Sequence, residues 1–294
     1  MRTAWLGAGL LGSPMAARLA GAGHEVVAWN RTAAKLDALR ARGVRGAANP
    51  AAAMAQAECV VLVLQDAAAI ASVFAAPEAM RALPGRTVIQ MGTIGSHESS
   101  ALATVIAANG GEYFEAPVLG SIPQAASGTL LVLVGSSSAQ FAQWHDFLAA
   151  FGPDPVHVGA VGQAATLKLA LNQLIASLTG AFSFSLGLVQ RAGLDVDLFM
   201  SILRQSALYA PTFDKKLSRM RERDFASPNF STQHMLKDVR LVLQEGRRLG
   251  LETAAVAGIE HILVRALERG HAASDYSSLY EGVDPPTSTG PSGS

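Results

Sequence analysis

Up to residue 158, short apolar runs alternate with stretches whose apolar positions recur at three- and four-residue steps. The runs at 3–6, 25–29, 59–64, 87–90, 113–115, 130–134 and 156–158 predict strands. Between them, 13–22, 32–43, 96–108 (capped by Ser96) and 140–151 predict helices, with two more opened by Asn49-Pro50 and Gln65-Asp66. The run at 59–64 is apolar throughout, as in a parallel sheet covered on both faces. Strands alternating with helices predict a doubly wound sheet. After Gly162 the strand pattern stops. Helices are expected at 163–191, 195–204, 213–223, 233–249, 253–268 and 275–280, the third of them charged and exposed. The fold class expected is α/β: a Rossmann-type doubly wound sheet over residues 1–161, then an all-α C-terminal domain over 162–281. The Pro/Ser/Gly-rich tail at 282–294 is expected to be disordered.

The longest helical stretch carries Leu167, Leu171, Leu174, Ile175, Leu178, Phe182, Leu186 and Val189 at helical spacing. At 1.5 Å per residue it runs about 40 Å. No residue from Leu169 to Gln190 bears a formal charge, which is also the signature of a membrane span. Asn172, Gln173, Ser177, Thr179, Ser183 and Ser185 make it too polar for hydrocarbon, and no aromatic or basic belt frames it. Lys168 and Asn172, one turn apart, project from the same face. On this helix alone Lys168 reads more simply as a solvated lysine near a helix start.

Composition narrows the classes. A chain of 294 residues holds two domains with real cores, and half of its residues are hydrophobic. Its formal net charge is zero, so nothing points to nucleic acid or to an anionic membrane. The single cysteine, Cys59, lies in the apolar run CVVLVL and reads as a buried small hydrophobe. One cysteine permits no internal disulfide and no Cys-based zinc site. His234 and Asp238 share a helical spacing but have no third ligand near them in sequence, so no metal is expected. The serines at 136–138 lack the GxSxG context of a nucleophile. A strand starting at Thr3 leaves no room for a signal peptide, and a soluble cytoplasmic protein is expected.

Candidate chemistry begins after the first strand, at Gly7-Ala8-Gly9-Leu10-Leu11-Gly12. A GxGxxG between a strand and a helix is the dinucleotide fingerprint. Gly7 serves the tight turn, Gly9 the approach of a pyrophosphate and Gly12 close helix–strand packing. The helix N-terminus offers amides and a positive dipole end to the phosphates. An NAD site has an acid at the end of the second strand, whereas Asn30-Arg31-Thr32 stands there, with Lys35 one turn on. Arg31 can bind a 2′-phosphate bidentately, which predicts NADP(H) over NAD(H). Ligands on such sheets bind beyond the strands' carboxyl ends, where Leu64, Gln65, Gly92, Thr93 and 117–121 fall.

With these pieces in order, the chain resembles the β-hydroxyacid dehydrogenases, the family of 3-hydroxyisobutyrate dehydrogenase. Its branch of glyoxylate/succinic semialdehyde reductases looks most similar. Residues 7–15, Glu115-Ala116-Pro117-Val118-Leu119-Gly120-Ser121, 159–172 and Lys237-Asp238 carry the resemblance, which spans nearly the whole chain. It implies hydride transfer between NADP(H) and a small aldehyde acid or ketoacid, or the reverse on a 3-hydroxy acid. Lys168 matches the catalytic general acid/base, and Asn172 matches its helical partner. Thr93 and Lys237 match positions beside the nicotinamide, while Leu64 and Gln65 are expected to contact the cofactor from their place at a strand's carboxyl end. Leu119, Gly120, Ser121, Phe230, Lys237 and Asp238 match the substrate pocket. Leu119 and Gly92 stand where relatives often have hydroxyl residues, so the pocket is expected to be more apolar. An intact Lys168 and Asn172 argue against the related imine reductases. Activity on cyclic imines and a non-catalytic dinucleotide-binding module remain the alternatives. The helical half has more apolar face than a small domain buries, and a homodimer or homotetramer is expected through it.

Overall fold

In the computed structural model, which describes residues 1–286, the first strand is the pivot of the sheet. The N-terminal unit contains β1 (Arg2–Leu6), α1 (Gly12–Gly21), β2 (Glu25–Trp29), α2 (Asp37–Arg40), β3 (Arg45–Gly46) and α3 (Pro50–Met54). It continues with β4 (Cys59–Leu62), α4 (Ala67–Phe74), α5 (Pro77–Arg81), β5 (Thr87–Gln90), α6 (Ser96–Ala108) and β6 (Glu112–Glu115). β7 (Val118–Leu119), α7 (Ile122–Ser127), β8 (Leu131–Gly135), α8 (Ser138–Ala149) and β9 (Val156–Gly159) complete it.

The strand order is β3-β2-β1-β4-β5-β6-β8-β7, with β9 on β8. The chain moves outward from β1 to β2 on one side and to β4 on the other. β1 and β4 therefore flank the point where the winding reverses, the place where doubly wound sheets bind ligands. Pairing is parallel from β3 through β6, as expected. Beyond it β8 runs antiparallel to β6 and β7, so the sheet is mixed at that edge. The connection from β6 to β8 holds only β7 and the short α7, which packs beside α1 instead of crossing a sheet face.

Alternation along each central strand builds two cores. Trp5, Val61, Ile89 and Phe114 face Met15 and Leu19 of α1 and Trp144 and Phe147 of α8. Leu6, Val60, Leu62 and Val88 face Met54, Ile70, Phe74 and Ile106. Each large side chain so buried contributes about 1.5–3 kcal/mol. Cys59 is buried in the first of these cores, and burial pushes its thiol up to about 11.

Three local expectations change. The helix expected over 32–43 is a 3-10 turn followed by the single-turn α2. Thr32 stands at the cap position of that turn, but its hydroxyl makes no capping bond. Gly95, not Ser96, precedes α6, and Glu98 reaches back to accept its N–H at 2.7 Å.

α9 (Gln163–Arg191) is one unbroken helix, and the two compact units divide within it, at Leu169/Ala170. It is the one helix among the described residues with the length and apolarity of a membrane span. Phe182, Leu186 and Val189 pack in one core of the helical unit and Ala176 in another. That unit continues with α10 (Val196–Arg204), α11 (Pro211–Glu222), α12 (Thr232–Arg248), α13 (Ala254–Glu268) and α14 (Tyr280–Val283). α11, expected to be exposed, buries Phe213, Lys216 and Met220. Its charge pattern hid this face, because Lys216 is buried by pairing with the buried Asp275 at 2.8 Å. The tail starts later than Gly282. Asp284 is buried and pairs with Arg191 and Arg223, while Gly282 lies so close to Ile262 that an added Cβ would stand 2.2 Å from its carbonyl oxygen. Residues 287–294 of the expected disordered tail lie outside the described residues.

Candidate active site

The Gly7–Gly12 loop leaves β1 with Gly7 at φ +117°, a conformation L side chains rarely adopt. A Cβ there would lie 2.2 Å from the Val63 carbonyl oxygen, and one on Gly12 would lie 2.3 Å from that of Gly7. Gly9 differs, because a Cβ added to it meets nothing within 4 Å. Two glycines thus close the turn and one keeps space open above it. α1 begins at Gly12; the Ser13 N–H donates to the Gly9 carbonyl at 3.0 Å and Pro14 has no N–H, so what the helix offers this loop is mainly the positive end of its dipole. Leu10 is exposed, and Ala8 and Gly12 are buried.

Asn30 acts on this loop from below. Its Oδ1 accepts the Ala8 N–H at 3.0 Å and its Nδ2 donates to the Thr32 carbonyl at 2.9 Å. Its amide braces the turn, while Arg31, Thr32 and Lys35 beside it are exposed. Leu64 and Thr93 are half-buried and Gln65 is exposed, all beyond the carboxyl ends of β4 and β5. The missing hydroxyl at Gly92 has a packing reason: a Cβ there would stand 2.7 Å from the Leu64 carbonyl oxygen.

The start of α9 is tied to this same sheet edge. Glu115, the last residue of β6, is 1% exposed. Its Oε1 accepts the N–H groups of Gly162 at 2.8 Å and Ala165 at 2.9 Å, and its Oε2 accepts the Ser99 hydroxyl. Burial pushes its carboxyl above the ordinary range, opposed by the donors of Ser99, Ala165, Gly162 and Ala164. Lys168 follows one turn after Ala165 and is itself only 7% exposed. The reading of Lys168 as a solvated surface lysine is excluded by that burial.

Asn172 lies one turn further along α9 and is equally buried. Its Nδ2 donates to Oδ2 of Asp238 on α12, whose Oδ1 faces the Lys237 ammonium. The structure therefore joins three of the expected residues in one chain, Lys237–Asp238–Asn172. Phe230 is half-buried before α12, its ring beside those of Tyr276 and His234.

At 119–121 the donors are already used. Leu119 is half-buried on β7, and Gly120 has φ +143°. Ser121 caps α7 and donates both its N–H and its hydroxyl to Oε1 of Gln124, at 3.1 and 2.6 Å. An anion bound by Ser121 must displace that amide oxygen. Sequence reasoning passed over Gln124 and Glu115. A Ser-x-x-Gln capping box signals the first; an acid that follows the aromatic pair Tyr113-Phe114 at the end of a strand signals the second.

A family model described as the NAD binding domain of 6-phosphogluconate dehydrogenase matches residues 2–161. A second, described as NAD-binding of NADP-dependent 3-hydroxyisobutyrate dehydrogenase, matches residues 162–283. Glyoxylate/succinic semialdehyde reductase 1 of Arabidopsis thaliana is 30% identical over 285 residues, covering 96% of this chain and 98% of that protein. Cytokine-like nuclear factor N-PAC of Homo sapiens is 28% identical over 94% of this chain, which spans only 50% of that protein. Among solved structures, 3-hydroxyisobutyrate dehydrogenase of Mycobacterium tuberculosis with L-serine shares the fold. Its TM-score is 0.84 at 23% identity, over 95% of this chain and 97% of that one.

Proposed function

Because the chain belongs to the 3-hydroxyisobutyrate dehydrogenase family of NAD(P)-binding oxidoreductases, we propose that it reduces the carbonyl of a small aldehyde acid or ketoacid with NADPH. The same site would run the reverse reaction on a 3-hydroxy acid. The observation that carries this reading is the buried Lys168, whose helix starts on the sheet edge that bears the Gly7–Gly12 loop.

The residues present fit the dinucleotide. The open space over Gly9, the positive dipole end of α1 and the exposed Arg31, Thr32 and Lys35 suit a pyrophosphate and a 2′-phosphate. With no acid after β2, nothing repels the extra phosphate, which supports NADP(H) over NAD(H). Bound NADP(H) supplies or accepts the hydride. Lys168 donates a proton to the substrate oxygen as negative charge develops there, and accepts it in the reverse direction. Such catalysis is worth about 10²–10⁴-fold. Asn172 presents its amide one turn away on the same helix, held by Asp238. The carboxylate of the substrate would take the Ser121 donors from Gln124.

The test is NADPH oxidation with glyoxylate, succinic semialdehyde and a panel of small carbonyl acids. Lys168→Ala is expected to lower kcat by about 10²-fold or more while leaving NADPH binding intact. Full turnover by that variant overturns the reading. Arg31→Ala is expected to weaken NADPH binding by about tenfold and leave NADH binding unchanged. The likeness to a protein named as a nuclear factor supports a second reading, a dinucleotide-binding module without turnover. NADPH binding with no oxidation by any carbonyl in the panel selects it.

The proposal includes self-association through the helical unit. Phe184, Leu188, Leu198 and Ile202 of α9 and α10 are all more than half exposed. An apolar face of this kind marks an interaction surface.

A further inference from the structure

We propose that Glu115 is a positioning residue for Lys168: its carboxylate caps the first turn of α9 and thereby fixes where the lysine stands. The proposal rests on the reading of Lys168 as the proton donor. The first amides of a helix have no acceptors of their own, and a Ser, Thr, Asp or Asn just before the helix ordinarily supplies one. Before α9 stand Ala160, Val161 and Gly162, none of which has a side-chain acceptor. The acceptor comes instead from β6, 47 and 50 residues away in sequence from the amides it takes.

The surroundings leave this carboxylate one position. Both oxygens are engaged, Oε1 by Gly162 and Ala165 and Oε2 by Ser99. The Ser99 hydroxyl is in turn 2.7 Å from the Tyr113 hydroxyl. On the neighbouring β8, Gly135 pairs with Glu115, and a Cβ on it would stand 2.5 Å from Oε1. Gly162 enters the helix at φ +96°, so the turn that presents its amide is itself specialised. A carboxylate at a helix N-terminus also opposes the positive end of the macrodipole. A shift in the cap rotates or translates the first turns of α9, and Lys168 lies one turn beyond Ala165. Displacement of a catalytic group by about 1 Å can cost on the order of 10²-fold in rate.

Glu115→Gln keeps the shape but exchanges one acceptor oxygen for an NH2 group and removes the charge. Two measurements test the proposal. In cofactor-free protein, amide hydrogen exchange over residues 160–170 is expected to be at least about tenfold faster than in the parent, with the sheet strands unchanged. In turnover, kcat is expected to fall by about ten- to hundredfold, with the NADPH dissociation constant within about threefold. In a Lys168→Ala background the same substitution is expected to cost less than about twofold, because the group it positions is gone. Unchanged exchange at 160–170 overturns the proposal. So does an equal loss in both backgrounds, which is what a merely structural role produces. Should Glu115→Gln fail to fold, Ser99→Ala, which removes only the donor to Oε2, carries both measurements. Full turnover by Lys168→Ala alone removes the proton-donor reading and this proposal with it. A slow Lys168→Ala with no coupling to Glu115→Gln removes this proposal alone.

Discussion

Asn172 donates its side-chain amide to Asp238 at 2.6 Å, and the other oxygen of that carboxylate faces the Lys237 ammonium at 2.7 Å. One buried acid thus contacts both side chains. Asp238→Ala leaves the Asn172 amide without its acceptor, at a cost of about 1–3 kcal/mol. The expected outcome is a melting temperature lower by several degrees and a kcat/KM lower by roughly five- to hundredfold. NADPH affinity is expected to fall less than kcat/KM, because the phosphate contacts proposed for the loop at 7–12 and for Arg31 are left in place. Calorimetry and steady-state kinetics on the same preparation check all three.

The three glycines of the loop separate fold from binding. Gly7→Ala and Gly12→Ala each press a methyl group against a backbone carbonyl, at 2.2 and 2.3 Å, and are expected to destabilise the protein by more than about 1–2 kcal/mol. Gly9→Ala meets no atom within 4 Å and is expected to leave thermal stability nearly unchanged. Its methyl projects into the space assigned to the pyrophosphate, so NADPH titration should show affinity weakened by about tenfold. A Gly9→Ala protein that melts early or binds normally contradicts the assignment.

Acid stability is expected to depend on the buried pair Lys216–Asp275. Burial alone would push the Asp275 carboxyl up, but the Lys216 ammonium and the donors of Ser277 outweigh it and hold it below its ordinary value. A depressed carboxyl contributes its full stability above the unfolded-state value of about 4 and loses it as pH falls through the lower folded-state value. The melting temperature should therefore fall below about pH 4. Asp275→Asn is expected to flatten that acid limb and to cost about 3–5 kcal/mol at neutral pH, because Lys216 is left buried without its counter-charge. Thermal melts between pH 3 and pH 7 measure both effects.

Self-association through α9 is tested by charge. Phe184 and Leu188, 64% and 62% exposed, lie one turn apart on that helix. Replacing both by Glu removes about 1.5–3 kcal/mol of burial per side chain in any assembly that covers them, and adds desolvation cost for the charges. Sedimentation should show a lighter species than the parent, with the melting temperature unchanged only if the helical unit is stable alone.

How much of this was legible in the sequence follows from the range of the forces involved. The strand at 87–90, the helices at 96–108 and 163–191 and the glycine loop were readable because side-chain periodicity and turn chemistry act over a few residues. A solvated Lys168 stayed an open reading there, since burial depends on neighbours from distant segments. Arg31 and the absence of an acid after β2 were readable too, because the loop and strand that place them are adjacent in the chain. Only the tertiary structure decided that β8 runs antiparallel, that Lys216 is buried against Asp275, and that Gly282 and Asp284 belong to the folded unit. The same holds for the Glu115 cap on α9 and the Asn172–Asp238 bond, which join residues 47, 50 and 66 positions apart. A buried polar group must find a partner, but its sequence neighbourhood does not say which one; closing the fold brings that partner within 3 Å.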